Sequence, residues 1–332
     1  MRFALDAEQR QFAASLHELL RHADVSTAAR RWADGDPTPG LAVWKRLAEL
    51  GVTALAVPES AGGLGAHPVA LAVAFEQLGR HAVPGPVVES CAAVPTLLAE
   101  LGHRDRLPAL ADGELLATLV LPPHVPYALD ADVAGLTLVA DPVAGSVGVL
   151  EAVRDGWADG PLRSVDPVRR LFQPGAARPL ASGVPGAVAR AFQVGVLACA
   201  AQLVGLGAGL LAMAVVHAGQ REQFGQPIGS FQAVAHQLAD VHVGLELARP
   251  LLYGAGVALG AHSATATRDV SAAKVAAGTA AHRAARTALQ VHGALGYTLE
   301  HDVPFWLTKA RALVGAWGTP AVHRARVREA LR

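Results

Sequence analysis

The chain has 332 residues, with 28 basic and 28 acidic side chains and a formal net charge of zero. A length of this order buries a substantial core and divides into two or three structural units. Charged residues make up only 17%, which leaves no electrostatic footprint for nucleic acid or an acidic membrane. The two cysteines, Cys91 and Cys199, are far apart and outside any Cys-x-x-Cys pattern, so a reduced, cytoplasmic protein is expected. Met1–Arg10 holds no apolar run, and no secretory leader is expected.

Asp6 is placed to cap a first helix, whose Phe12, Leu16, Leu19 and Leu20 form one apolar stripe ending near Ala23. The Gly/Pro/Asp punctuation of residues 34–40 separates it from a short helix carrying Trp44, Leu47 and Leu50. After the glycine-rich stretch 51–65, Val69–Gly79 reads as a helix with Leu71, Phe75 and Leu78 on one face. Helical patterning continues to about Leu101. Composition changes at Leu115: up to about Phe172, short β-like runs at 117–121, 135–139 and 146–150 alternate with Pro, Gly and Asp.

From Val184 onward the pattern is helical again. The thirty residues between Arg190 and Arg221 carry no formal charge, enough to cross a bilayer. Gln193, Gln202 and His217, many Gly and Ala residues, and the lack of an aromatic belt or basic flank point instead to a core helix of a bundle. Phe224-Gly225 and Pro227 break that helix, and Ser230 is expected to cap the next one. In the next helix Phe231, Val234, Leu238, Val241 and Leu245 make a bundle seam, and Pro250 should kink or end it. Helices over Arg268–His292 and Pro304–Gly315 and a short segment over Ala321–Leu331 complete the chain. The fold class expected is mostly α with a small β domain. An N-terminal helical domain covers 1–112, a reduced middle β-domain 113–180, and a C-terminal four-helix bundle 181–332.

Two segments carry the functional signal. The first, Arg221 to Gln232, reads Arg-Glu-Gln-Phe-Gly-Gln-Pro-Ile-Gly-Ser-Phe-Gln; the second, Gln290 to Glu300, reads Gln-Val-His-Gly-Ala-Leu-Gly-Tyr-Thr-Leu-Glu. Together they resemble the flavin-contacting motifs of the acyl-CoA dehydrogenase family, Arg-x-x-Phe-Gly and Gln-x-x-Gly-Gly-x-Gly-Tyr. Pro58-Glu59 followed by Gly62-Gly63-Leu64-Gly65 is similar to a loop of that family's N-terminal domain. The resemblance implies that FAD is the cofactor. Arg221 would face its pyrophosphate, Gly293 and Ala294 would permit close backbone approach, and Phe224 beside Gly225 would pack on it. Gln290 would hydrogen-bond the dinucleotide, with Gln232 and Thr319 also in the cofactor set. In the family these contacts cross a subunit interface, so an oligomer is implied. Taken singly, Arg221 also reads as a helix C-cap and Gln290 as a surface residue.

Family members use a glutamate as the base that takes the α-proton. Counting on from Gly293 to the family's Tyr-Glu-Gly-Thr segment gives Ala316-Trp317-Gly318-Thr319, with Trp317 at the glutamate position. A minority of members carry the glutamate on the long helix, and that count lands on Gly195 and Val196. Both positions are therefore empty, and Thr308 replaces an arginine usual before the loop. Glu300 and Asp302 remain as candidate substitutes, while Glu246 reads as a solvated or interhelical charge and His292 as packing. His236 and His242 lack companions at metal spacing, so no metal is expected. Gly205, Gly207 and Gly209 read as close helix packing, because no strand precedes them.

The short length, reduced β-domain and missing glutamate resemble the smaller chain of heteromeric actinobacterial acyl-CoA dehydrogenases, whose larger partner carries the base. Sterol side-chain CoA esters are the substrate class that this resemblance implies. Two other readings stay open: a homomeric flavoenzyme with another base or flavin-oxygenation chemistry, and a flavin-free scaffold.

Overall fold

The computed structural model describes residues 4–151, 160–298 and 300–332. Met1–Phe3 of the N-terminal stretch and Leu299 of the second motif lie outside the described residues.

Asp6 caps α1 (Ala7–Arg21) through a reciprocal box: its carboxylate accepts from Gln9 N–H at 2.8 Å, and the Gln9 side chain accepts from Asp6 N–H at 3.1 Å. A helix that the sequence pattern did not suggest, α2 (Val25–Ala33), follows after a short turn. Its cap, Asp24, has left-handed backbone and accepts from Thr27 N–H, so the chain reverses without Gly or Pro to announce it. α3 (Thr38–Glu49) begins inside the expected punctuation. Pro39 sits in its first turn, where a missing N–H costs nothing, and Gly40 leaves space that a Cβ would take from the Trp32 ring. α4 (Pro68–Arg80), a π-helical turn (Glu89–Ala93), α5 (Val94–Glu100) and α6 (Leu107–Ala111) complete the N-terminal helices.

The β-like runs become strands at nearly the expected positions. They are β1 (Ala117–Val120), β2 (Ala128–Leu129), β3 (Leu136–Asp141), β4 (Ser146–Glu151), β5 (Leu171–Phe172) and β6 (Arg178–Ala181). The larger sheet has the order β1-β3-β4-β6, with β1 parallel to β3 and the other pairs antiparallel. β2 pairs with β5.

The uncharged stretch is one helix, α7 (Pro185–Gln220), of 36 residues. After it come a small hairpin, β7 (Glu222–Gln223) and β8 (Gln226–Pro227), and then α8 (Gln232–Gly260), α9 (Ala266–His292), α10 (Val303–Gly315) and α11 (Pro320–Glu329). α4, α8, α9 and α10 all pack against α7, so it is long and apolar enough to cross a membrane yet 67% of its most apolar window is buried within the fold. Its glycines admit this crowding. A Cβ at Gly205 or Gly209 would overlap backbone atoms of Glu76 or Arg80 on α4, and one at Gly207 would press on Leu245 of α8.

Two local expectations are corrected. Ser230 does not cap α8: its hydroxyl donates to Pro227 O at 2.7 Å within a 3-10 turn, and Phe231 stands at the N-cap with no side-chain bond. Pro250 does not end α8 but lies inside it. It is on the exposed face, where water can satisfy the carbonyl left without its helical partner.

Candidate cofactor and active site

Seven of the eight expected cofactor residues gather at the C-terminal end of α7, and all seven are exposed. The ends of α7 and α9 are joined by the stacked rings of His217 and His292, 4.4 Å apart. Four residues beyond His217, Arg221 is the C-cap of α7, its N–H donating to His217 O at 2.9 Å. Its guanidinium is in no ion pair among the described residues. The hairpin turns on Phe224 (φ 54°) and Gly225 (φ 81°), the pair of positive φ values that a tight hairpin needs. A phenylalanine there is conformationally costly, and its ring is 92% exposed, meeting only Phe231 edge-on at 6.2 Å. Gln232 opens α8 just beyond.

On the α9 side, Gln290, Gly293 and Ala294 lie beside the same end. Gly293 has φ 60° and ψ −133°, and a Cβ there would touch nothing. Glycine is required by the backbone conformation at this position and not by crowding. A pocket of about 490 Å³ opens here between His217, His292, His301 and Glu300. His292 is buried and donates Nδ1–H to Ala288 O at 2.7 Å, which makes it a packing residue as expected. Asp302 is paired with Arg30 at 2.7 Å, and Glu246 with Arg249.

The opposite end of α7 is closed. Trp317 is 1% exposed with φ 58°, and its ring lies so close over Gly195 that a Cβ on Gly195 would overlap it. The two positions vacated by the family glutamates are thus in contact, and one fills the space that the other leaves. Phe192 packs beside the indole, with centroids 6.1 Å apart. His323 of α11 fixes the Trp317 backbone. Its Nε2–H donates to Trp317 O at 2.9 Å, leaving Nδ1 to accept from Ser271 Oγ at 3.2 Å. Burial lowers its pKa to about 4, so the ring is neutral. Thr319, the eighth cofactor residue, is also at this end, where its hydroxyl caps α11 by accepting from Val322 N–H. From Gly195 to His217 the helix rises about 33 Å, so Thr319 is not brought together with the other seven within one chain.

A third carboxylate stands at the closed end. Glu89, on the π-helical turn, is 1% exposed and accepts a hydrogen bond from the Trp317 side chain. Its Oε2 has no partner among the described residues. Burial pushes its pKa up against the pull of Arg169 and Lys309, which favours the protonated acid. The sequence held one cue: between Arg80 and Glu100, Glu89 is the only carboxylate in an otherwise apolar run. Behind it Asp130 accepts from Trp32 Nε1 at 3.0 Å and is pushed up to about 6 by its burial.

Profiles of the acyl-CoA dehydrogenase N-terminal and C-terminal domains match residues 6–114 and 182–332. The chain is 34% identical over 272 residues to acyl-CoA dehydrogenase IpdE2 of Mycobacterium tuberculosis, covering 81% of this chain and 80% of that one. It is 30% identical over 285 residues to IpdE2 of Mycolicibacterium smegmatis, covering 84% of each. Among solved structures, the ChsE4-ChsE5 complex from Mycobacterium tuberculosis matches with TM-score 0.83 at 21% identity, over 100% of this chain and 99% of that one. With both domains matched and two relatives aligned over most of their length, the chain belongs to the acyl-CoA dehydrogenase family of FAD-dependent oxidoreductases.

Proposed function

We propose that this chain is the accessory member of a heteromeric acyl-CoA dehydrogenase, serving the α,β-dehydrogenation of a CoA thioester without supplying the base. Its units are the helical region 1–112, the sheet region 113–180 and the bundle 181–332, and it works in the cytoplasm. The observation that carries this reading is the separation of the candidate cofactor residues along α7. A cofactor held by this chain alone would have to span about 33 Å of helix. A second chain laid against the open end removes that demand, because each cofactor then takes its two halves from different chains.

The exposed residues fit the dinucleotide half of such a site. Arg221 offers a cation to a pyrophosphate, Gly293 offers backbone approach, and Phe224 offers an apolar ring already freed from the core. FAD, when bound, supplies the hydride acceptor. At the closed end Trp317 occupies the base position and excludes both water and an acyl chain. The base must then come from the partner, and sterol side-chain CoA esters are the substrate class we assign.

Glu89 supports one second reading, a homomeric enzyme in which this carboxylate is the base once Trp317 moves. Glu300 does not compete for the role, since it lies at the open end, and Asp302 is already held by Arg30. Flavin absorbance and acyl-CoA turnover, measured on the purified chain and again with its partner, test the proposal. Flavin and turnover that appear only with the partner are expected. Robust turnover by the chain alone, abolished by Glu89→Gln, would establish the second reading instead.

A further inference from the structure

α10 and α11 both pack on α9 but leave its outer face open as a groove. The floor is apolar and shallow, made by Ala272 and Ala276 near α11 and by Ala285 and Leu289 near α10. The rims are basic. Arg324, Arg328 and Arg332 line a pocket of about 620 Å³ at one end, and Arg286 and Arg311 line one of about 170 Å³ at the other. None of these five arginines is in an ion pair among the described residues. They also concentrate a charge imbalance: residues 266–332 hold ten Lys and Arg against four Asp and Glu, a net of +6 in a chain whose total is zero.

Arg324, Arg328 and Arg332 recur every four residues along the C-terminal segment, so three guanidiniums repeat at the spacing of one helical turn. An apolar floor of small residues between basic rims has the shape and charge to seat an amphipathic helix. The face does not suit a second copy of this chain. A two-fold contact puts the same patch on both sides, and here it would set guanidinium against guanidinium. We propose that the α9–α11 groove docks an acidic amphipathic helix of a partner chain, its carboxylates at four-residue spacing meeting Arg324, Arg328 and Arg332. The inference rests on the heteromeric reading above and gives the partner its chemistry.

The groove from Ala272 to Leu289 accommodates about 27 Å of helix. The probe is therefore an 18-residue stapled peptide with Glu at every fourth position and Leu on the adjoining face, followed by fluorescence anisotropy. Binding is expected, at least tenfold weaker for Arg311→Glu/Arg324→Glu, with affinity for a Lys-for-Glu peptide gained in exchange. Circular dichroism reports whether the variant folds. If it does not, the wild-type chain still decides, since its affinity must fall as salt rises from about 50 to about 300 mM. Equal binding of a Gln-for-Glu peptide would overturn the proposal. So would displacement of the peptide by phosphatidylglycerol vesicles, or dissociation of a homo-oligomer caused by the variant. None of these readouts uses flavin or turnover. A chain that binds the peptide yet is fully active alone refutes the accessory reading, and one that needs its partner but ignores the peptide refutes only the groove.

Discussion

At the start of α7, Gly195 lies under the Trp317 ring, Phe192 packs alongside, and Glu89 takes the indole hydrogen bond. At its far end Arg221, Phe224 and Gly293 stand in solvent, with Phe224 and Gly293 held at positive φ and no neighbour to justify it. One end has been sealed by side chains of its own chain, while the other keeps a costly local geometry without an internal reason. Strained backbone persists where surroundings or function over-determine it. The difference teaches that the loss of the glutamate at this chain's base position came with filling of the space around it, whereas the cofactor-facing end was left open.

Removing the plug gives the largest expected effect. Trp317→Ala deletes a fully buried indole and strands the Glu89 carboxyl, and a loss of about 3–5 kcal/mol is expected in urea unfolding. A loss below about 1 kcal/mol would mean that the closed end is not packed as described. Trp317→Glu should not restore turnover, because it sets a second carboxyl against Glu89 in a buried site.

Gly195→Ala tests the same contact from the other side. Its methyl must displace the Trp317 ring, at a cost of about 1–3 kcal/mol. Paired with Trp317→Ala the substitution should be nearly harmless, and strict additivity in a double-mutant cycle would break the pairing of the two vacated positions.

His323 gives a smaller effect that depends on pH. Its folded pKa of about 4 lies below its ordinary value, so the unfolded chain binds the extra proton between about 4 and 6.5. Stability therefore falls as pH drops through that window. Buried His81, also lowered to about 4, acts in the same direction, and Asp130, raised to about 6, opposes both. His323→Gln should shrink the gap between urea midpoints at pH 7 and pH 4.5, and an unchanged gap would show that this ring does not titrate as placed.

Arg221→Ala should have the least effect on the fold, within about 0.5 kcal/mol, as befits an exposed side chain. Flavin content of the assembly that binds FAD should nevertheless drop. A variant with normal flavin would remove Arg221 from the cofactor set.

The strands and the core helices were legible because their patterns are repetitive. α7 shows itself by thirty uncharged residues and α9 by its alanines, and the runs from Ala117, Leu136 and Ser146 alternate with turn residues. α2 was hidden because its boundary is a left-handed Asp24 with no Gly or Pro beside it. Pro250 misled because a helix tolerates proline when the orphaned carbonyl reaches water. The motif residues Arg221 and Gly293 were visible one by one, and so was the vacancy at Trp317 and Gly195. That these two touch was not, since 122 positions of chain separate them. Glu89 was overlooked for a related reason: one carboxylate in an apolar run has no periodicity, and only the fold shows what it faces.

The glycines on α7 also constrain motion. Gly205 and Gly209 put its backbone against that of α4 so closely that an axial slip of one residue would drive a side chain into the Glu76 or Arg80 backbone. Sliding of packed helices, one of the two common ways in which domains move, is therefore blocked along this axis. α7 and the N-terminal helices behave as one rigid strut, and the freedom left to the open end lies in the hairpin at Phe224. Any adjustment that a cofactor or partner demands must be absorbed there, so the plugged end stays undisturbed by events at the other.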